Sequence, residues 1–200
     1  MAVIIKEPYH CTFIHNPKTG GSSITAWLKS NFNCNTTKRQ MGANVEQSKE
    51  IFGDLGWTFS TVRNPWRWAV SWYEFKLTEN QERMENLNNP RYFNSHKKKH
   101  NKEYLIETQK FLELGFENWL FQSKQGPQYQ NVIHCDYIMK QETLSTDFRL
   151  VQDRLNCYTE LPTLVQSIKL KPWREYYTPK TVDFIAKTYI KDIKEFNYQF

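Results

Sequence analysis

The spacing of apolar residues along the chain predicts alternating strands and helices. Short apolar runs predict strands at residues 11–14, 57–62 and 131–135. Apolar residues three or four positions apart predict helices at residues 24–32, 66–77, 105–121, 148–155 and 179–196. Gly115 interrupts the third of these helices, and Thr178 followed by Pro179 is typical of a helix start. Such alternation favours an α/β fold with a small, mainly parallel sheet flanked by helices, which binds ligands at the carboxyl ends of its strands.

The polar stretch at residues 78–102 is the one part of the chain that fits neither pattern. It is rich in Asn, Glu and Lys, which predicts a surface insertion or a lid rather than a boundary between domains. With 200 residues and no Pro/Gly/Ser-rich linker, the chain is expected to form a single domain over residues 1–200.

The net charge and the composition indicate which binding partners and which cellular compartment to expect. The net charge of +6 favours an anionic partner, and the basic run at residues 96–100 lacks the interleaved aromatics of a nucleic-acid arm, so no nucleic acid is expected. No apolar run is long enough to span a bilayer, and no secretory leader is apparent, so we expect no membrane association and a cytoplasmic location. The four cysteines show neither paired spacing nor zinc-finger spacing, which predicts reduced thiols and no metal site.

The loop after the first predicted strand has the composition of an anion-binding site. Residues 15–23 read His-Asn-Pro-Lys-Thr-Gly-Gly-Ser-Ser. Paired glycines allow a tight turn that points backbone N–H groups at a ligand, and Ser22 or Ser23 is predicted to cap the following helix. Lys18 adds a positive charge, while Thr19 and the two serines add hydroxyl donors. The loop therefore predicts a phosphate or sulfate site.

A second candidate anion site follows the next predicted strand. Arg63 stands at the strand end, Asn64 and Pro65 predict a turn into a helix, and Ser71 lies two helical turns further on. A gap of eight residues corresponds to at most ~12 Å of helical rise. An Arg side chain can close that gap, so guanidinium and hydroxyl are predicted to hold one phosphate together.

These segments resemble the nucleotide motifs of sulfotransferases. Residues 17–23 resemble the 5′-phosphosulfate-binding loop, and Arg63-Asn64-Pro65 with Ser71 resembles the 3′-phosphate-binding motif. Residues 174–179, before the last helix, also look like the carbohydrate-type family, which includes heparan sulfate 2-O-sulfotransferases and small microbial members. The resemblance implies a three-layer P-loop-like fold. It also implies transfer of a sulfuryl group from 3′-phosphoadenosine 5′-phosphosulfate (PAPS) to a hydroxyl group, with a carbohydrate as the favoured acceptor. The implied product of the donor is PAP, and the implied reaction needs no metal.

The resemblance also implies roles for individual residues. Lys18 would neutralise charge on the bridging oxygen, and Arg63 with Ser71 would hold the 3′-phosphate. A basic loop before the last helix corresponds to Lys169 and Lys171. The residues implied to hold the 5′-phosphosulfate are Lys18, Thr19, Gly20, Gly21, Ser22 and Ser23. Residues 76–130 match no family motif and are expected to form an insertion or lid that shapes the acceptor site.

The general base is not identified by the sequence. Many relatives place a catalytic His or Glu between the two nucleotide motifs, where residues 38–43 offer neither. Three alternatives stay open: His15 beside the loop, Glu46 in the expected segment, and Glu74 on the helix face of Ser71.

Two other functions are compatible with part of the pattern. A P-loop nucleotide phosphotransferase would share the architecture, but its loop ends Gly-Lys-Ser/Thr, whereas Lys18 precedes both glycines. A non-catalytic anion or polysaccharide-binding protein would need the loop but no base. The sequence gives no indication of the oligomeric state.

Overall fold

Five strands form one sheet in the part of the chain that the structure describes. The computed structural model describes residues 1–6, 8–36, 44–87, 98–164 and 170–200, with side chains except at 83–87 and 98–105. The strands are β1 (Ala2–Ile5), β2 (Cys11–Ile14), β3 (Cys34–Thr36), β4 (Trp57–Val62) and β5 (Tyr137–Lys140), in the order β3-β1-β2-β4-β5. β1 runs antiparallel to β2 and β3, whereas β2, β4 and β5 are parallel. Four of the five strands thus point the same way, which confirms a mainly parallel sheet.

Eight helices accompany the strands in the described ranges. They are α1 (Gly21–Asn31), α2 (Val45–Phe52), α3 (Pro65–Leu87), α4 (Lys98–Gln122), α5 (Tyr129–Val132), α6 (Leu144–Leu155), α7 (Pro179–Thr188) and α8 (Ile190–Glu195). Two short 3-10 segments lie at Gln141–Thr143 and Trp173–Tyr176. None of the helices in these ranges combines the length and hydropathy needed to cross a bilayer.

The sheet is packed on both faces because its strands alternate their apolar side chains. Val3, Phe13 and Phe59 are buried on one face, against apolar residues of α1 and α6 such as Trp27 and Phe148. A smaller apolar cluster lies on the opposite face of the sheet and consists of Ala2, Ile14, Val45 and Leu55. Val45 belongs to α2, so helices lie on both sides of the sheet. The three-layer α/β architecture is confirmed.

The chain divides into two compact units. The first unit, which contains the whole sheet, consists of Met1–Trp68, Gly126–Gln166 and Ile185–Phe200. The second unit consists of Ala69–Gln125 and Ser167–Phe184. Its centre is aromatic: the ring of Tyr73 contacts the rings of Phe111, Phe116, Trp119 and Tyr176 at centroid distances of 5.4–6.0 Å.

Several predicted elements are confirmed and others are wrong. The strands at 11–14 and 57–62 and the interruption at Gly115 (φ 70°) are confirmed. The predicted strand at 131–135 is wrong, because α5 extends to Val132 and β5 begins only at Tyr137. The polar stretch at 78–102 is helical up to Leu87 and again from Lys98, and residues 88–97 lie outside the described ranges. Its role as a surface insertion or a lid stays a prediction. The final helix is confirmed but is divided at Tyr189 into α7 and α8.

Candidate functional site

The loop between β2 and α1 turns sharply at two residues with left-handed backbone. Lys18 has φ 64°, and Gly20 has φ 88° and is the N-cap residue of α1. The helix therefore starts at Gly21, where the first N–H groups lack the i−4 acceptors that a preceding helical turn would supply. An anion at this point would meet both these donors and the positive end of the helix dipole.

Side chains close to Gly20 and Gly21 leave too little room for a Cβ atom at either position. A Cβ on Gly20 would lie 3.1 Å from Cδ2 of Leu144, at the start of α6, and would also face a positive φ. A Cβ on Gly21 would overlap the ring of His15, with Nε2 only 2.6 Å away. The paired glycines thus allow the loop backbone to pack directly against its surroundings.

The serines after the glycines lie inside the helix rather than at its cap. Ser22 is exposed and Ser23 is half-buried in the first turn of α1, where the Ser23 N–H donates to the Gly20 carbonyl at 3.2 Å. No side chain caps this helix, so the prediction that Ser22 or Ser23 would do so is wrong. The reason is that Gly20 already takes the N-cap position.

The hydroxyl of Thr19 is directed into the protein. Its side chain is fully buried and donates to the Asn16 carbonyl at 2.7 Å, and Oγ1 lies 2.6 Å from Oγ1 of Thr61. The expectation that this hydroxyl would face an anion is corrected, because these internal contacts occupy it. Only the backbone N–H of Thr19 is left for that role.

Arg63 lies next to this loop in the first unit. It follows β4 directly, and its Nη1 donates to the Lys18 carbonyl at 3.3 Å. β2 and β4 are adjacent parallel strands, so the segments that follow them meet at one edge of the sheet. The structure thus brings the two predicted anion-binding segments together at Lys18 and Arg63.

The predicted turn from β4 into α3 is confirmed. Oδ1 of Asn64 accepts the N–H groups of Trp66 and Arg67 at 3.1 and 3.3 Å, as expected of an N-cap residue, and α3 begins at Pro65. The N–H of Asn64 donates to Oε1 of Glu142 at 2.9 Å. The Arg63 segment is therefore tied to the connection between β5 and α6 as well.

Sequence reasoning missed the side chains that join the strand ends. Asn16 is buried, and its amide donates to the Thr61 carbonyl at 3.2 Å. Gln128 is fully buried and bonds both the N–H and the carbonyl of Arg63. No motif marks these amides, and Gln128 lies 65 residues from its partner. The one available signal is that Asn16 stands at the end of a predicted strand, inside the anion loop.

His15 is placed poorly for a general base. Its ring stacks on Phe13 at a centroid distance of 5.8 Å, and its Cδ2 and Nε2 are covered by Gly21. Burial lowers the pKa of His15 from 6.5 to about 4, so the ring is neutral at pH 7 and accepts a proton weakly. Its contacts are those of a packing residue beneath the loop.

Glu46 is placed on the protein surface. It lies in the first turn of α2, its side chain is 69% exposed, and its carboxylate is 3.4 Å from Nε2 of His134. His134 precedes β5, whereas the anion loop follows the carboxyl end of β2. These contacts do not connect Glu46 with the loop.

The other candidate residues belong to the second unit. Ser71 and Glu74 are both buried on α3, and the hydroxyl of Tyr176 donates to Oε1 of Glu74 at 3.1 Å. Burial and the neighbouring carboxylate of Glu74 raise the pKa of Tyr176. The ammonium of Lys171 donates to the carbonyl of Glu175 at 2.8 Å and lies over the Tyr176 ring. Lys169 lies outside the described residues, and joint binding of a phosphate by Ser71 and Arg63 stays a prediction.

Comparison with known proteins identifies the family. A sequence model described as "Sulfotransferase family" matches residues 1–199, almost the entire chain, so the protein belongs to the sulfotransferase family. No curated protein and no solved structure matches the chain. Within the described residues, no group of three or more His, Cys, Asp and Glu side chains is arranged to hold a metal ion.

Proposed function

We propose that this member of the sulfotransferase family transfers a sulfuryl group from PAPS to a hydroxyl group of a carbohydrate. The observation that carries the proposal is the hydrogen bond between Nη1 of Arg63 and the carbonyl of Lys18. It places a guanidinium beside a glycine loop at a helix N-terminus. A donor with two separate anionic groups needs such a pair of adjoining sites.

The loop suits the phosphosulfate end of PAPS. Gly20 and Gly21 allow the tight turn of the loop, and the N–H groups at residues 19–22 are proposed as donors that cost no side-chain ordering. Ser22 and Ser23 add hydroxyls in the first helical turn. In this assignment the ammonium of Lys18 neutralises the charge that develops on the bridging oxygen as the sulfuryl group leaves.

The 3′-phosphate is assigned to Arg63 and Ser71, and Lys169 and Lys171 are proposed to contribute positive charge near the nucleotide. Arg63 is suited to this role because its planar guanidinium presents paired donors to phosphate oxygens. Ser71 is proposed for this role because it follows Arg63 by eight residues, the spacing of the 3′-phosphate-binding motif that the segment resembles.

The proposed transfer balances without a further reactant. The acceptor oxygen bonds to sulfur, the bond from sulfur to the bridging oxygen breaks, and PAP leaves with the electron pair. The acceptor proton passes to a general base. Of the three candidates, we retain Glu74, because His15 is buried against Gly21 with a lowered pKa and Glu46 contacts His134 on the surface.

Residues 76–130 are proposed to shape the acceptor site. Most of them belong to the second unit, whose aromatic residues offer apolar surface of the kind that sugar rings contact. A cytoplasmic setting is also proposed, where the four free thiols would stay reduced.

An acceptor array tests the proposed function. The protein is incubated with PAPS carrying radiolabelled sulfate and with a panel of glycans, small alcohols, phenols and peptides. We expect label on at least one carbohydrate, and we expect Lys18→Ala to abolish most of it while the surface variant Lys29→Ala does not. Label on phenols or peptides alone would contradict the carbohydrate assignment, and no transfer to any hydroxyl would contradict the activity.

A further inference from the structure

Arg63 lies just beyond the last paired residues of its strand. The final pairs of β4 are Ser60 with Ile14 of β2 and Val62 with Lys140 of β5. The N–H and carbonyl of Arg63 are therefore outside the sheet ladder. A buried backbone group without a partner is costly, so another part of the chain must supply one.

The side chain of Gln128 supplies both partners. Its Oε1 accepts the N–H of Arg63 at 2.9 Å, and its Nε2 donates to the carbonyl of Arg63 at 2.7 Å. A carboxamide offers the same pairing of donor and acceptor as a peptide group. The Gln128 side chain thus pairs with Arg63 as the backbone of a residue in a neighbouring strand would. This pairing continues the hydrogen-bond ladder of β4 by one residue, to Arg63.

Gln128 is itself held rigidly. It is fully buried, and its backbone N–H donates to Oδ2 of Asp192 at 3.0 Å, while the N–H of Tyr129 donates to Oδ1 at 2.6 Å. Asp192 is also fully buried. On the other side, the amide of Asn16 donates to Oε1 of Gln128 at 3.5 Å. Gln128 therefore links the entry of the anion loop with the Arg63 backbone.

We propose that Gln128 is a positioning residue for the nucleotide: by fixing the backbone of Arg63, it sets the guanidinium beside Lys18. This inference rests on the proposed function, because it takes Arg63 as the ligand of the 3′-phosphate. A positioned guanidinium binds a phosphate without first losing conformational freedom, so releasing the backbone weakens binding even when the charge remains.

The test compares two nucleotides that differ in the 3′-phosphate. Titration calorimetry measures the affinity of PAP and of 5′-AMP for the wild type and for Gln128→Met, which keeps the side-chain length but removes both hydrogen bonds to the Arg63 backbone. We expect PAP affinity to fall by about tenfold and 5′-AMP affinity to stay unchanged. In an Arg63→Ala background, Gln128→Met should cause no further loss of PAP affinity. Gln130→Met, an exposed glutamine two residues away, is the matched control and should bind PAP as the wild type does.

Gln128→Glu is a second variant of the same size. It replaces the amide that donates to the Arg63 carbonyl with a carboxylate oxygen, which can only accept. We expect it to lose affinity for PAP but not for 5′-AMP. Equal losses for PAP and 5′-AMP, additivity with Arg63→Ala, or wild-type PAP affinity would overturn the inference while leaving the proposed function intact. Failure of both Gln128 variants to fold would assign the residue to folding alone and also overturn it. A wild type that binds neither nucleotide would overturn the inference together with the proposed function.

Discussion

Oγ1 of Thr19 lies 2.6 Å from Oγ1 of Thr61, inside the protein, and this contact joins the anion loop to the penultimate residue of β4. The same Thr19 hydroxyl donates to the Asn16 carbonyl at 2.7 Å. The loop conformation is therefore stabilised by buried hydrogen bonds of the Thr19 side chain. Loop shape and sheet stability are coupled at this point.

Thr19→Val should accordingly act on stability. It removes the donor to a buried carbonyl and should lower the free energy of unfolding by about 1–3 kcal/mol. Thr19→Ser keeps the hydroxyl and should cost clearly less. Urea unfolding followed by circular dichroism measures the difference, with Thr188→Val on the exposed side of α7 as the control. Equal stabilities of the Val and Ser variants would show that these hydrogen bonds contribute nothing.

Lys18→Ala should slow turnover more than it weakens nucleotide binding. Its charge matters most when negative charge builds on the bridging oxygen, and removal of such a group typically lowers kcat by about 10²–10³. Steady-state rates and PAP titrations are compared for Lys18→Ala and for Lys29→Ala, which changes an exposed lysine in the last turn of α1. A Lys18→Ala enzyme with wild-type kcat would mean that this lysine has another role.

The buried ring of His15 predicts a specific dependence of stability on pH. Burial lowers the pKa of His15 from 6.5 to about 4, so the folded state binds fewer protons than the unfolded state between these values. The His15 contribution is therefore favourable above pH 6.5 and is lost progressively as the pH falls toward 4. His15→Gln cannot titrate, so its stability should fall less than that of the wild type between pH 7 and 4.5 in urea unfolding. Parallel pH profiles would show that His15 is not buried as described.

The three candidate bases can be separated by isosteric variants. Glu74→Gln should lower turnover by about 10²–10⁴, the usual contribution of a general base. Glu46→Gln and His15→Gln should keep most of the activity, because these residues contact His134 and Phe13. Tyr176→Phe removes the hydrogen bond to Glu74 but leaves the carboxylate, and its effect should be smaller. Wild-type turnover of Glu74→Gln would exclude Glu74 as the base.

Local chemistry made much of this site predictable. The glycines, Lys18, Arg63 and the Asn64–Pro65 turn follow from backbone freedom, charge and helix capping, all of which act over a few residues. The cap of α1 was mispredicted because serine is a good N-cap residue, whereas here the required left-handed φ gives that position to Gly20.

Contacts between distant segments were not predictable. The hydrogen bonds of Gln128 to Arg63 and Asp192 span 65 and 64 residues, and isolated amides and acids carry no periodic signal. The sheet shows the same limit. β3 (Cys34–Thr36) is short and polar, so it is recognisable only through its pairing with β1, and the apolar pair Val132–Ile133 suggested a strand where the chain turns.

The central claim is that the Gly20–Gly21 loop and Arg63 together bind the nucleotide of a sulfuryl donor. Titration calorimetry with PAP, in buffer containing a chelator and no added metal, tests it most directly. We predict binding of one PAP per chain, loss of about 10- to 150-fold in affinity for Arg63→Ala, no such loss for the surface variant Arg149→Ala, and much weaker binding of ATP with Mg²⁺. Tight binding of ATP with Mg²⁺ and none of PAP would contradict the account.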